Sequence, residues 1–172
     1  YKGAVDGFAD GLREAGQKSG KDIQIFTKEA ATSGQTKDML VELMKTQKID
    51  LIYAVTTATT KVVSEITGSI PIVFTVVGDP IGSGFIKSFT EPDGNITGCT
   101  NLSAQLSAKR LEIFKEAFGE KSAKTLRFVF FYNPTNSISQ ASLDISREAA
   151  VKLGNIKLDA IPIKNKNELT KA

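Results

Sequence analysis

Three short stretches put hydroxyl and amide side chains where an apolar run ends and a helical pattern begins: Thr56-Thr57-Ala58, Thr75-Val76-Val77-Gly78-Asp79-Pro80 and Tyr132-Asn133-Pro134-Thr135-Asn136-Ser137. The first N–H groups of a helix have no partner within it, so hydroxyls beside them complete a site for a carboxylate or another anion. Ser, Thr, Asn and Asp are also the preferred helix caps, and capping alone accounts for any one of these loops. Three loops of the same design on one sheet edge point to a ligand.

Other constellations carry less chemistry. Asp79 and Asp93 are two carboxylates, but Asp93 sits in a Pro-Gly turn and Asp79 precedes a proline, ordinary turn positions that do not bring them together. Gly78, Gly82 and Gly84 fit neither a dinucleotide fingerprint nor a P-loop with its lysine and hydroxyl, so backbone geometry explains them better. Tyr53 and Phe74 lie inside strand patterns and read as core, whereas Tyr132 at a strand end is the better aromatic candidate. The sequons at Asn95 and Asn101 are treated as chance. Histidine is absent, which removes the commonest general base, the usual partner of a nucleophilic serine and the commonest metal ligand. Cys99 is the one cysteine, so neither an internal disulfide nor a Cys-x-x-Cys zinc or redox pair is available. The expectation is a binding protein without cofactor or metal, not an enzyme.

The elements that position these loops follow from periodicity. Tyr1, Val5, Phe8 and Leu12 form the apolar stripe of an opening helix. A short strand is predicted over 22–26. A helix follows, opened by a Thr32/Gln35 capping box, with Met39, Leu40, Leu43 and Met44 inward. A strand over 49–55 leads into a helix carrying Val62, Val63 and Ile66, and the run 70–77 suits a strand buried on both faces. Phe85, Ile86 and Phe89 suggest a short helix, closed by the turn residues 91–95 before a brief strand over 96–98. Beyond a crossing segment, Ser103 caps a helix with Leu111, Phe114 and Phe118 inward. The pattern then restarts: a strand over 126–131, a Ser137/Gln140 capping box, a helix lined by Ile138, Ala141, Ile145 and Ala149, a strand over 156–163, and the start of another helix from 165. Alternating strand and helix implies a mainly parallel sheet with helices on both faces, and such folds take ligands at the carboxyl ends of their strands.

A chain of 172 residues that is 41% hydrophobic can bury a real core. No run approaches the roughly 20 apolar residues a membrane helix requires. The net charge of +3 comes from scattered lysines, without a basic cluster or basic-aromatic interleaving, so nucleic acid is not an expected partner.

The segment running from Ile70-Pro71-Ile72-Val73-Phe74-Thr75 through Val76-Val77-Gly78-Asp79-Pro80-Ile81 to Gly82-Ser83-Gly84-Phe85-Ile86-Lys87-Ser88 resembles the signature of a family of bacterial ABC-importer substrate-binding proteins. Pro92-Asp93-Gly94-Asn95-Ile96-Thr97-Gly98, Lys109-Arg110-Leu111-Glu112 and Phe131-Tyr132-Asn133-Pro134 support it, in the family's order and approximate spacing. The subgroup it resembles includes binders of tryptophan and related aromatic amino acids.

The resemblance implies a fold class of α/β type: a three-layer, Rossmann-like lobe of the type I periplasmic-binding-protein fold, plus the first part of a second similar lobe. It places the first lobe at 1–98, a crossing segment and helix at 99–125, and the beginning of the second lobe at 126–172. Carried over by position, Thr56, Thr57, Ala58, Thr75, Gly78 and Asp79 would line the first lobe's side of a cleft, and Asn133, Asn136 and Ser137 the second's. Asn101 and Ser103 would lie near the first crossing between lobes. The implied function is capture of a small solute, best guessed as an amino acid, by hinge closure outside the cytoplasm. The implied partners are the importer's membrane subunits, and membrane contact would come only through a lipid anchor outside this chain. Two departures stand out: the strand that normally precedes the opening helix is missing, and the chain stops after two strands of the second lobe. The chain is therefore expected to be a large fragment that binds weakly alone. The alternative is the ligand-sensing part of a transcriptional regulator or receptor with the same fold.

Overall fold

The opening apolar stripe forms helix α1 (Lys2–Glu14), with Val5, Phe8 and Leu12 half-buried and Tyr1 exposed. It belongs to a computed structural model that describes residues 1–18, 20–91, 94–119 and 125–169. The chain divides into two compact units, Tyr1–Asn101 and Leu102–Ala172. Asp93 and the Pro92-Asp93 turn lie outside the described residues.

In the first unit, α2 (Ser33–Thr46) opens where Thr32 Oγ1 accepts the Gln35 N–H at 3.2 Å, while Gln35 Oε1 accepts the Ala31 N–H at 2.9 Å. Two side chains thus serve two amides that the helix itself leaves unpaired. Strands β1 (Ile52–Val55), β2 (Ile72–Val77) and β3 (Ile96–Thr100) form one parallel sheet in that order, and α3 (Thr57–Ile66) connects the first two. Successive strand residues face opposite sides of a sheet. Ala54 and Ile72 accordingly pack with Leu40 of α2 and Val63 of α3. On the other side, Tyr53 stacks on Phe8 of α1 with ring centroids 4.2 Å apart, its hydroxyl donating to the Ala4 carbonyl. The unit is a helix–sheet–helix sandwich.

The second unit repeats the alternation of strand and helix. Helix α4 (Leu106–Gly119) precedes β4 (Leu126–Tyr132), α5 (Ser137–Leu153) and β5 (Ile156–Pro162), with β4 and β5 parallel and in register from Leu126↔Ile156 to Tyr132↔Pro162. One face of this pair buries Phe128, Ile156 and Leu158 against Leu111, Ala149 and Ala150. Val129 and Phe131, on the other face, are about half exposed at 50% and 47%. A four-residue helix, α6 (Lys166–Leu169), follows.

Several sequence expectations are corrected. The strand over 22–26 does not form; Gly20 N–H donates to the Ile23 carbonyl in a turn, and Ile25 and Phe26 are exposed. A strand needs a neighbour to take its ladder bonds, and among the described residues no strand lies beside it. The short helix expected around Phe85–Phe89 does not form; the segment is a run of bends, with Gly84 before it at φ +74° and the Ser88 hydroxyl accepting the Glu91 N–H locally. The cap of α5 is Asn136, whose Oδ1 accepts the Ser139 N–H at 2.9 Å, so Ser137 is the first helical residue and not the cap. The helix that Ser103 was expected to cap begins three residues later, at Leu106. Met44 and Phe118 are exposed, while Leu143, absent from the expected lining, is fully buried.

Candidate ligand-binding site

At the carboxyl end of β1, Thr56 is held by several hydrogen bonds, among them one between its hydroxyl and that of Thr59 at 3.3 Å. Its N–H donates to the Thr75 carbonyl at 3.0 Å, its Oγ1 accepts the Thr59 N–H at 3.4 Å, and its carbonyl accepts both the N–H and the hydroxyl of Thr60. These bonds secure φ +85°, a value that a β-branched residue adopts at a cost of about 1–3 kcal/mol. Thr57 follows as the first residue of α3 and is half-buried, and Ala58 is exposed.

On the neighbouring strand, Val76 also turns left-handed, at φ +56°. The pairing with β3 shifts here: Phe74 lies opposite Gly98 but Val77 opposite Thr100, so one extra residue of β2 is accommodated as a bulge. Gly78, just beyond, is buried. Asp79 folds back over the following turn, where its Oδ1 accepts the Gly82 N–H at 2.9 Å. A side chain at position 82 would place a Cβ 2.2 Å from Asp79 Oδ2, so glycine there lets the carboxylate close on the turn. At the end of β3, the Asn101 N–H donates to the Val77 carbonyl at 3.2 Å.

The first unit therefore brings Thr56, Thr57, Thr75, Gly78, Asp79 and Asn101 to one edge of its sheet, with Ala58 one residue into α3. Three adjacent strand ends and the N-terminus of a ten-residue helix meet there. Thr100 was not anticipated. Its hydroxyl donates to the Val77 carbonyl at 2.7 Å, a contact between residues far apart in the chain that no local pattern signals.

In the second unit, Asn133 follows β4. Its Oδ1 accepts the N–H and the hydroxyl of Thr135 at 2.9 and 2.8 Å, and its own N–H donates to Ser139 Oγ at 2.9 Å. Asn136 caps α5 and Ser137 opens it, so these residues rigidify the loop. An open hollow of about 620 Å³ beside them is lined by Phe114, Phe128, Phe130, Asn136, Ser142 and Ser146, among others. Its aromatic and small hydroxyl lining was not among the expected site residues. Ser103 stands apart from this loop in sequence; its carbonyl accepts from the Ser107 hydroxyl and the Arg110 guanidinium. Among the described residues, no group of three or more His, Cys, Asp or Glu side chains could hold a metal ion, and no helix is long and apolar enough to cross a membrane.

Two α/β units, each a parallel sheet with polar loops at its strand ends, define a periplasmic-binding-protein-like architecture. The chain matches the family model described as ABC transporter substrate binding protein over residues 1–172, and it belongs to that family. It is 31% identical over 150 residues to a tyrosine-binding protein of Clostridioides difficile (strain R20291), an alignment covering 87% of this chain and 41% of that protein. A conserved domain protein from Vibrio cholerae superposes with a TM-score of 0.77 at 26% identity, over 95% of this chain and 53% of that one. An ABC domain from Streptococcus pneumonia in complex with L-Trp has the same fold, with a TM-score of 0.73 at 21% identity over 96% of this chain and 54% of that one. The chain thus spans about half the length of these solved structures and less than half of the curated relative.

Proposed function

We propose that the intact protein captures an amino acid with an aromatic side chain outside the cytoplasm and delivers it to the membrane subunits of an ABC importer. The observation that carries this reading is the cluster at the carboxyl edge of the first sheet. Helix α3 begins beside the bulged end of β2 there, with Thr56 as its cap and Thr57 as its first residue. Backbone N–H groups and hydroxyls suit the ligand's carboxylate. Asp79, a carboxylate at the same edge, suits its ammonium by charge. Likeness to a protein named for tyrosine supports the ligand class.

No bond is made or broken in this scheme. The Asn133–Ser137 loop is the counterpart of this cluster in the second unit, and the ligand favours whichever form of the protein binds it more tightly, in proportion to its differential affinity. Calorimetry on the intact protein with L-tyrosine, L-tryptophan and L-phenylalanine, against a sugar and a nucleoside, tests this reading. Saturable binding of an aromatic amino acid is expected, and Asp79→Asn and Thr57→Val should each weaken it about tenfold, the effect of one lost charge-assisted or ordinary hydrogen bond. Binding of the sugar or the nucleoside and of no amino acid would sink it.

A further inference from the structure

Along a parallel strand, carbonyls alternate sides, so residues two apart aim at the same neighbour. In β2, the Pro71 and Thr75 carbonyls both face β1, accepting the N–H groups of Ile52 at 2.9 Å and Thr56 at 3.0 Å. The Val77 carbonyl, two residues after Thr75, should therefore also face β1. It faces β3 instead, accepting the Asn101 N–H at 3.2 Å and the Thr100 hydroxyl at 2.7 Å. Val76, left-handed at φ +56°, is the residue that turns the chain over.

In a trans peptide the N–H points opposite to the carbonyl, and there is no cis peptide bond among the described residues. Turning the Val77 carbonyl toward β3 therefore turns the Gly78 N–H toward the β1 side, where Thr56 and Thr57 lead into α3. We infer that Thr100 is a positioning residue: its hydroxyl captures the reversed Val77 carbonyl and so directs the Gly78 N–H at the ligand's carboxylate. This rests on the amino-acid-binding reading above. The strain at Val76 works against the reversed peptide, because a β-branched residue avoids this conformation, and two donors on one carbonyl offset it. In this role both donors act through Gly78.

Thr100→Val keeps the shape and β-branching of the side chain and removes the hydroxyl, whereas Thr100→Ser keeps the hydroxyl. In the intact protein, T100V should weaken L-tyrosine binding about tenfold, and T100S should stay within about twofold of wild type. The second readout is NMR: left-handed Val76 gives a strong intraresidue HN–Hα NOE, expected in wild type and T100S and weakened in T100V. Wild-type affinity in T100V, equal losses in both variants, or an unchanged Val76 NOE in T100V would overturn the inference. If wild type binds no aromatic amino acid, the ligand reading fails, and the NOE comparison still decides whether Thr100 holds the bulge.

Discussion

A Cβ built on Gly98 would stand 2.1 Å from the Phe74 carbonyl oxygen and 2.6 Å from the Phe74 ring, so β3 approaches β2 as closely as it does only because position 98 has no side chain. Phe74 is itself buried, packed with Val77 and Phe85, and cannot withdraw without opening that cluster. Gly98→Ala should therefore destabilise the protein by about 2 kcal/mol or more, in the manner of an overpacked core. Urea unfolding checks this; a loss below about 0.5 kcal/mol would mean that β3 sits further away than described.

Asn95 ties together the turn that precedes β2. Its Nδ2 donates to the carbonyls of Thr67 and Ile70, at 3.2 and 2.6 Å, while its own carbonyl accepts the Ile72 N–H. Asn95→Ala should cost about 1–3 kcal/mol by leaving partly buried carbonyls without that donor. Asn95→Asp should cost at least as much at neutral pH, because a carboxylate would face two carbonyl oxygens. The comparison of the two melting curves is the test.

Thr56 has two opposed roles, a strained backbone and a helix cap. Thr56→Gly relieves the strain and loses little capping, so it should be neutral or stabilising by up to about 1 kcal/mol. Thr56→Val keeps the strain and removes the acceptor for Thr59, and should destabilise by about 1 kcal/mol. Thermal denaturation of both would show opposite signs; two equal losses would contradict the left-handed geometry.

The cap of α5 can be assigned by substitution. Asn136→Ala should cost about 1 kcal/mol and Ser137→Ala less than about 0.5 kcal/mol. The reverse order would return the cap to Ser137.

How much of this was legible in the sequence differs element by element. The Thr32/Gln35 box and the buried run ending at Val77 were readable because their causes are local, namely side chains bonding amides three or four residues away and unbroken apolar character. The expected strand over 22–26 failed because a strand is defined by a neighbour, and propensity says nothing about whether one is there. The Ser137 cap failed by one residue, since Asn136 and Ser137 are equally good caps and the chain's entry angle chooses between them.

The cluster of candidate ligand residues shows the same division. The sequence by itself determined the alternation of strand and helix, the three hydroxyl- and amide-bearing loops at strand ends, and, through its signature segment, the family. Only the tertiary structure decided that Thr56 and Val76 both turn left-handed on adjacent strands, that Asp79 closes on Gly82, and that the Val77 carbonyl reverses toward Thr100. The first set follows from residue types and short-range spacing. The second depends on which strands become neighbours and in what register, and bonds between residues as distant as Thr100 and Val77 exist only once that pairing is made.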